Sequence, residues 1–383
     1  MMMAEPIQPF RLERYFARYE FKARYLLSPS DCESLSLKDV LALADPPLRG
    51  QWDNLGLGYT ESAGHPELRS EVSRLYFTAS MDDILVLAPE EGIYIAMRTL
   101  LSPGDEVIAL TPCYQSLAEV ARSAGCRVIE WPLLAQDGRW VLSIDRLRSL
   151  ITSKTRMLVV NFPHNPTGYL PGAAEFQALV EIARQHGLWL FSDEMYRFLE
   201  HDPTHRLAAA VDLYEKGVSL GGMSKAFSLP GLRIGWLASK SRAAMQSFIE
   251  YKDYTTICSS APSELLAIMA LRARDAILDS NLAIIRRNLR AAQAFIAGYE
   301  GLFRWYPPLG GSIAFPEWTG PLDLERVCLD LVNDFGVMVV PGSYFNGPGS
   351  HFRLGLGRQN LPEALDQVSA YIRQTTGLDQ KRH

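Results

Sequence analysis

The chain has 383 residues, 48% of them hydrophobic, enough to bury one large core or two joined ones. Its formal net charge is −5, with acidic and basic residues mixed along the whole chain, so no extended basic surface is available to draw in a nucleic acid. Five widely spaced cysteines (Cys32, Cys113, Cys126, Cys258, Cys328) include no CxxC pair, which argues against a disulfide framework or a zinc ribbon and for reduced thiols in a cytoplasmic protein.

The N-terminal run MMMAEPIQPFRLERYF lacks an apolar signal core, and no stretch approaches the roughly 18 uninterrupted apolar residues of a membrane span. A soluble protein without a membrane partner is expected. Further along, DILVLA (83–88) followed by EEGIYIAMRTLL (90–101) reads as a strand and then a helix. Short apolar runs continue at 105–110, 126–131, 155–162, 187–193, 217–222 and 232–238, most of them separated by amphipathic helical stretches such as 173–186. This alternation predicts an α/β fold: a large domain with a mainly parallel sheet sandwiched by helices, plus a smaller α+β domain. Beyond about residue 240 a long helical stretch (262–300) is expected to join the two parts, followed by GGSIAFPEW, VMVVPG and a closing helix near 362–375. The expected boundaries are 45–275 for the large domain, with 1–44 and 276–383 forming the small one.

Ligands of open α/β sheets bind beyond the carboxyl ends of the strands, so polar residues at those ends are candidates for a site. Asn165 lies in NFPHNPTGY just past one strand, Asp193 ends GLWLFSD with Tyr196 a turn later, and Lys225 follows GVSLGGMS. A lysine, a carboxylate, an asparagine and a tyrosine on one rim, with Arg233 eight residues past the lysine, suit an anionic aromatic cofactor held covalently by an amine. His201 and His205 have the helical spacing of a metal pair, but Pro203 between them opposes a regular helix, and no metal site is expected.

Seven pieces in order carry a family resemblance: YTESAGHPELR (59–69), LLSPGDEVIALTPCY (100–114), NFPHNPTG (161–168), SDEMY (192–196), SKAFSLPGLRIG (224–235), PPLGGSIAF (307–315) and HFRLGLGR (351–358). Together they resemble the class I/II aminotransferases, fold-type I enzymes that depend on pyridoxal 5'-phosphate. The resemblance implies an aspartate aminotransferase-like fold and a Schiff base between Lys225 and the cofactor, with the released lysine amine then moving the substrate's Cα proton. It implies that Asp193 pairs with the ring nitrogen, that Asn165 and Tyr196 bond the ring hydroxyl oxygen, and that Tyr114 stacks on the ring. Ser224, Arg233 and the backbone N–H groups of Glu90 and Glu91 would hold the phosphate. Arg353, with Asn165 beside it, would hold the substrate carboxylate. In such families Tyr59 reaches a partner subunit's phosphate, so a homodimer with shared active sites is implied, acting on an amino acid and a keto acid.

Transamination of an L-amino acid is the expected reaction. TPCYQSL and NFPHNPTGY also resemble capreomycidine synthase-type enzymes, in which an arginine-like amino acid undergoes elimination and cyclisation. A third reading, a non-catalytic aminotransferase-like ligand sensor, lacks support because the roughly 58 residues before Tyr59 contain no clear helix-turn-helix. The chain departs from the family pattern in two places that bear on the phosphate. Gly222 stands where many relatives carry a hydroxyl, and APEE (88–91) replaces a glycine-containing turn with a segment whose Pro89 has no N–H.

Overall fold

The computed structural model describes residues 6–299 and 301–378; the first and last five residues of the expected small domain lie outside that range. Seven strands make the main sheet: Ile84–Leu87 (β1), Glu106–Thr111 (β2), Arg127–Pro132 (β3), Thr155–Asn161 (β4), Trp189–Asp193 (β5), Gly217–Gly222 (β6) and Gly235–Ala238 (β7). Their spatial order is β1-β7-β6-β5-β4-β2-β3. β7 runs antiparallel to both of its neighbours, and the remaining pairs are parallel. Parallel sheets are covered on both faces, so their strands read as continuous apolar runs. Alternation then splits each strand between two cores. Val107, Ala109, Met157 and Val159 enter one hydrophobic cluster, whereas Ile108, Leu110, Leu158 and Val160 enter the other.

The helices that matter for the site are Arg11–Tyr19 (α1), Pro89–Leu100 (α2), Ser116–Ser123 (α3), Ala261–Arg272 (α4), Arg274–Gly298 (α5) and Leu361–Thr376 (α6). In α1 the buried residues are Leu12, Tyr15, Phe16 and Tyr19, the i, i+3, i+4, i+7 spacing of one apolar helix face. The Tyr15 hydroxyl fixes this helix to the chain's far end by donating to the Val339 carbonyl at 2.8 Å. A small antiparallel sheet of Ile313–Ala314 (β8), Val340–Pro341 (β9) and Phe352–Gly355 (β10) carries Arg353.

Two boundaries differ from the sequence expectation. The helical stretch 262–300 is two helices, because Ala273 leaves the helical conformation with φ −97° and ψ 15°. The change of direction lets α4 pack against the helices 37–43 and 66–73 while α5 packs against α6. One straight rod could not reach both. The strand expected from residue 232 begins at Gly235, since Pro230–Leu232 forms a 3₁₀ turn and Arg233 takes the left-handed conformation, φ +54°. Among the described residues no helix is long and apolar enough to cross a membrane.

Candidate active site

A cavity of about 570 Å³ opens beyond the carboxyl ends of β4, β5 and β6, and the small sheet and α1 close its other side. Register explains the convergence. Asn161 sits opposite Asp193 and Asp193 opposite Leu220, so the parallel strands finish at one level and their following loops share a rim. Asn161 then ties two loops together: its Oδ1 accepts from the Asn165 backbone N–H at 2.6 Å and its Nδ2 donates to the Asp193 carbonyl at 2.8 Å. Gly168 closes the NFPHNPTG turn at φ +67°, where a Cβ would lie 2.4 Å from Pro308 Cβ. Only glycine fits.

Asp193 is buried, and its Oδ1 accepts the Met195 backbone N–H at 3.1 Å. Burial pushes its carboxyl up to about 7, partly offset by the Met195 hydrogen bond and by Lys225. Lys225 Nζ donates to Ser30 Oγ at 2.9 Å. Burial lowers the lysine's pKa, opposed chiefly by Asp31, which makes the neutral amine easier to reach. Tyr196 is 2% exposed and lines the cavity, and its hydroxyl, with Ser30 close enough to act on it, makes no well-formed hydrogen bond among the described residues. A buried polar atom of this kind calls for a ligand. Arg353, also 2% exposed, donates from Nε to the Ser28 carbonyl at 2.8 Å and from Nη1 to Asn165 Oδ1 at 3.2 Å. Phe345 lies under its guanidinium at 4.9 Å.

The first turn of α2 faces the same space. Pro89 has no N–H and Gly92 N–H bonds the Ala88 carbonyl, so the N–H groups of Glu90 and Glu91 have no acceptor within the helix. They point the positive end of the helix dipole at an anion site, next to Ser224 and Arg233 on the cavity wall. The missing hydroxyl at Gly222 has a steric cause. A Cβ there would meet Pro89 Cγ at 3.0 Å and Met195 Cε at 3.0 Å, so the Pro89 ring fills the space a larger residue would take.

Of the residues singled out from sequence, Glu90, Tyr114, Asn165, Asp193, Tyr196, Ser224, Lys225, Arg233 and Arg353 all line this one cavity. Two do not. The Glu91 side chain turns back, accepting from the Ala88 N–H and from the Thr256 hydroxyl at 2.8 Å, and it also bonds Thr255. Tyr59 is 92% exposed and lies in a separate surface depression with His65 and Ala261. Reasoning from sequence missed Ser30, Asp31, Glu13, Phe16 and Glu20, which close the cavity from the N-terminal side. Glu13 accepts from the Tyr114 hydroxyl at 3.1 Å, and Asp31 pairs with Arg358 at 2.9 Å. The polar residues of α1 follow no motif. Only the apolar period of the helix could have predicted which of its faces stays open.

The donor set fits a phosphorylated, cationic aromatic ring: a helix N-terminus and Arg233 for the anion, a buried carboxylate for a ring cation, and a buried phenol on the same cavity wall.

The sequence profile of the family described as aminotransferase class I and II matches residues 53–368. Capreomycidine synthase from Streptomyces vinaceus is 32% identical over 96% of this chain and 93% of its own length. A probable aspartate/prephenate aminotransferase from Thermus aquaticus is 30% identical over 81% of this chain and 82% of its own. The solved structure of a pyridoxal-phosphate-dependent aminotransferase from Streptococcus suis 89-1591 superimposes with a TM-score of 0.91 at 30% identity, covering 99% of this chain and all of that one. A profile that spans most of the chain and a superposition over almost its full length agree, and the chain belongs to the class I and II aminotransferases.

Proposed function

We propose that Lys225, Asp193 and Arg353 form the working centre of a pyridoxal-phosphate-dependent aminotransferase that acts on an L-amino acid. The observation that carries this reading is the meeting of these three side chains, from two sheets far apart in sequence, on one cavity. When bound, pyridoxal phosphate supplies an electron-poor ring that accepts the electron pair left as the Cα proton departs. Lys225 Nζ, whose pKa burial lowers, would take that proton and return it at the neighbouring carbon. The Asp193 carboxylate pairs with the protonated ring nitrogen. A ring cation there would favour the charged form that burial disfavours. Asn165 and Tyr196 offer their Nδ2 and hydroxyl groups to the ring oxygen, and Tyr114 provides a ring face already braced by Phe10 at 5.0 Å.

Arg353 meets the substrate carboxylate. Two of its donors are already committed to Ser28 and Asn165, so the guanidinium is held in place before substrate arrives. Ser224, Arg233 and the N–H groups of Glu90 and Glu91 hold the phosphate. Tyr59 reaches the phosphate of a second copy, which makes the protein a homodimer with shared sites. Tyr59 itself is 92% exposed, as a side chain that reaches a second copy would be. The large domain spans 45–275, and 1–44 with 276–383 form the small one. Buried free cysteines suit a cytoplasmic enzyme of amino acid biosynthesis.

The test is to add single L-amino acids, without a keto acid, to the purified protein loaded with cofactor. Release of one keto acid per site, with a matching change in the bound cofactor's absorption, is expected for the true donor; release from none of them would overturn the reading. A second reading, elimination and cyclisation of an arginine-like amino acid, draws support from the similarity to capreomycidine synthase and from the carboxylates Glu13, Glu20 and Asp31 on the cavity wall. It requires repeated turnover of arginine or a hydroxylated arginine with no keto acid formed.

A further inference from the structure

Glu90 is the second residue of α2, and its side chain lines the cavity together with Ser224, Arg233 and Asp193. A carboxylate beside a phosphate is repulsive unless a cation separates them. Asp31, elsewhere on the wall, has such a cation in Arg358. For Glu90 the cation that bears on it is Arg233, and that influence is weaker than those of the Glu13 and Asp193 carboxylates. Burial aside, Ser116 on α3 favours the carboxylate by a hydrogen bond, Glu13 on α1 and Asp193 at the end of β5 oppose it, and Arg233 before β7 favours it. Tyr114 adds a neutral phenol beside it. The tyrosine hydroxyl at 196, buried and without a well-formed hydrogen bond among the described residues, marks the same space as one built for a ligand.

Resting on the phosphate assignment above, we propose that Glu90 serves as a neutral carboxylic acid, donating its O–H to a phosphate oxygen, so that the phosphate is bound together with one proton. The proton comes from solvent and stays on the carboxyl oxygen, and no bond other than the hydrogen bond forms. The half-buried Glu90 carboxyl takes the part of the hydroxyl donor for which Pro89 leaves no room at position 222. Burial already raises the group to about 7, so little work is needed to keep it protonated near neutral pH. Above that pH the proton must be taken up on binding, and affinity for the phosphate falls. The charge on the cavity wall thereby makes cofactor retention sensitive to pH through a residue that never touches the reacting atoms.

The experiment compares the parent protein with Glu90→Gln, which keeps an N–H donor but cannot ionise. Dissociation constants of pyridoxamine 5'-phosphate, which forms no bond to Lys225, are measured by fluorescence at pH 6.5 and 8.5, with pyridoxamine as the control lacking phosphate. The ratio of parent to Glu90→Gln dissociation constants should rise about tenfold or more between the two pH values for the phosphate ester. For pyridoxamine it should stay constant. A ratio that does not change with pH, or one that changes equally for pyridoxamine, would overturn the proposal. Should Glu90→Gln fail to fold, Glu90→Ala also removes the titrating group, and the ratio of parent to Glu90→Ala dissociation constants should show the same rise for the phosphate ester. If the parent binds neither compound at any pH, the cofactor assignment itself falls; tight binding of the ester with an unchanged ratio removes only the role of Glu90.

Discussion

Arg353 Nη1 donates to Asn165 Oδ1 at 3.2 Å, a side-chain bond across 188 residues of sequence that joins the small sheet to the loop after β4. Both partners are buried, so the bond is made away from bulk water, where hydrogen bonds to a charged group are worth about 1.5–3 kcal/mol. It also fixes the guanidinium plane, because Nε is held at the same time by the Ser28 carbonyl. Arg353→Lys retains the charge but loses the fork. Expected is a rise in KM for the amino acid of about tenfold or more with a smaller fall in kcat, read from steady-state kinetics; an unchanged KM would remove Arg353 from carboxylate binding.

Lys225→Ala deletes the proposed proton carrier while leaving the Ser30 hydroxyl free to meet water. Turnover should fall by at least the roughly 10²–10⁴-fold that a positioned acid–base group contributes. The circular dichroism spectrum should match the parent's. Addition of methylamine would restore part of the rate if the amine itself is what matters.

Asp193 gives a pH-dependent stability prediction. Its carboxyl sits near 7 in the folded empty protein against 3.8 in the unfolded chain, so folding favours the protonated form. The stability this provides is complete below pH about 4 and is lost as pH rises through about 7. Asp193→Asn cannot ionise, so without cofactor it should melt above the parent at pH 8, by about 1 °C for each 1 kcal/mol in a chain of this length, and keep only a minor part of that advantage near pH 5. Its turnover should nevertheless collapse. Calorimetric scans at the two pH values check the first part, and an Asn variant that melts lower at pH 8 would contradict it.

Gly222 and Pro89 form a steric pair. Gly222→Ser places a Cβ against the Pro89 ring and the Met195 methyl at 3.0 Å; the methionine end can swing away but the ring cannot. A cost of about 1–3 kcal/mol is expected from overpacking. Adding Pro89→Ala should recover most of it, measured as Tm of the single and double variants. Equal melting of both variants would mean that Met195 alone sets the limit.

Much of the site was legible because strand ends carry their polar residues in fixed positions. Asp193, Asn165 and Lys225 each follow an apolar run by a few residues, and the parallel register brings those ends to one level whatever the loops do. Gly235, rather than residue 232, opens β7 because the left-handed turn at Arg233 uses up the residues between, a local conformation that composition does not encode. The break at Ala273 was likewise invisible, since alanine is the strongest helix former and the bend serves packing on two different surfaces.

From sequence alone came the α/β alternation, the order of the motifs, and the identity of the lysine, aspartate and arginines that line the cavity. These are carried by local periodicity and by residue types placed at strand ends. Only the tertiary structure decided that Glu13, Glu20 and Asp31 close the cavity, that Glu91 turns away while Glu90 turns in, and that Pro89 accounts for a glycine more than a hundred residues later. Those relations depend on which side chains meet across the folded chain, and contacts between distant segments leave no period in the sequence.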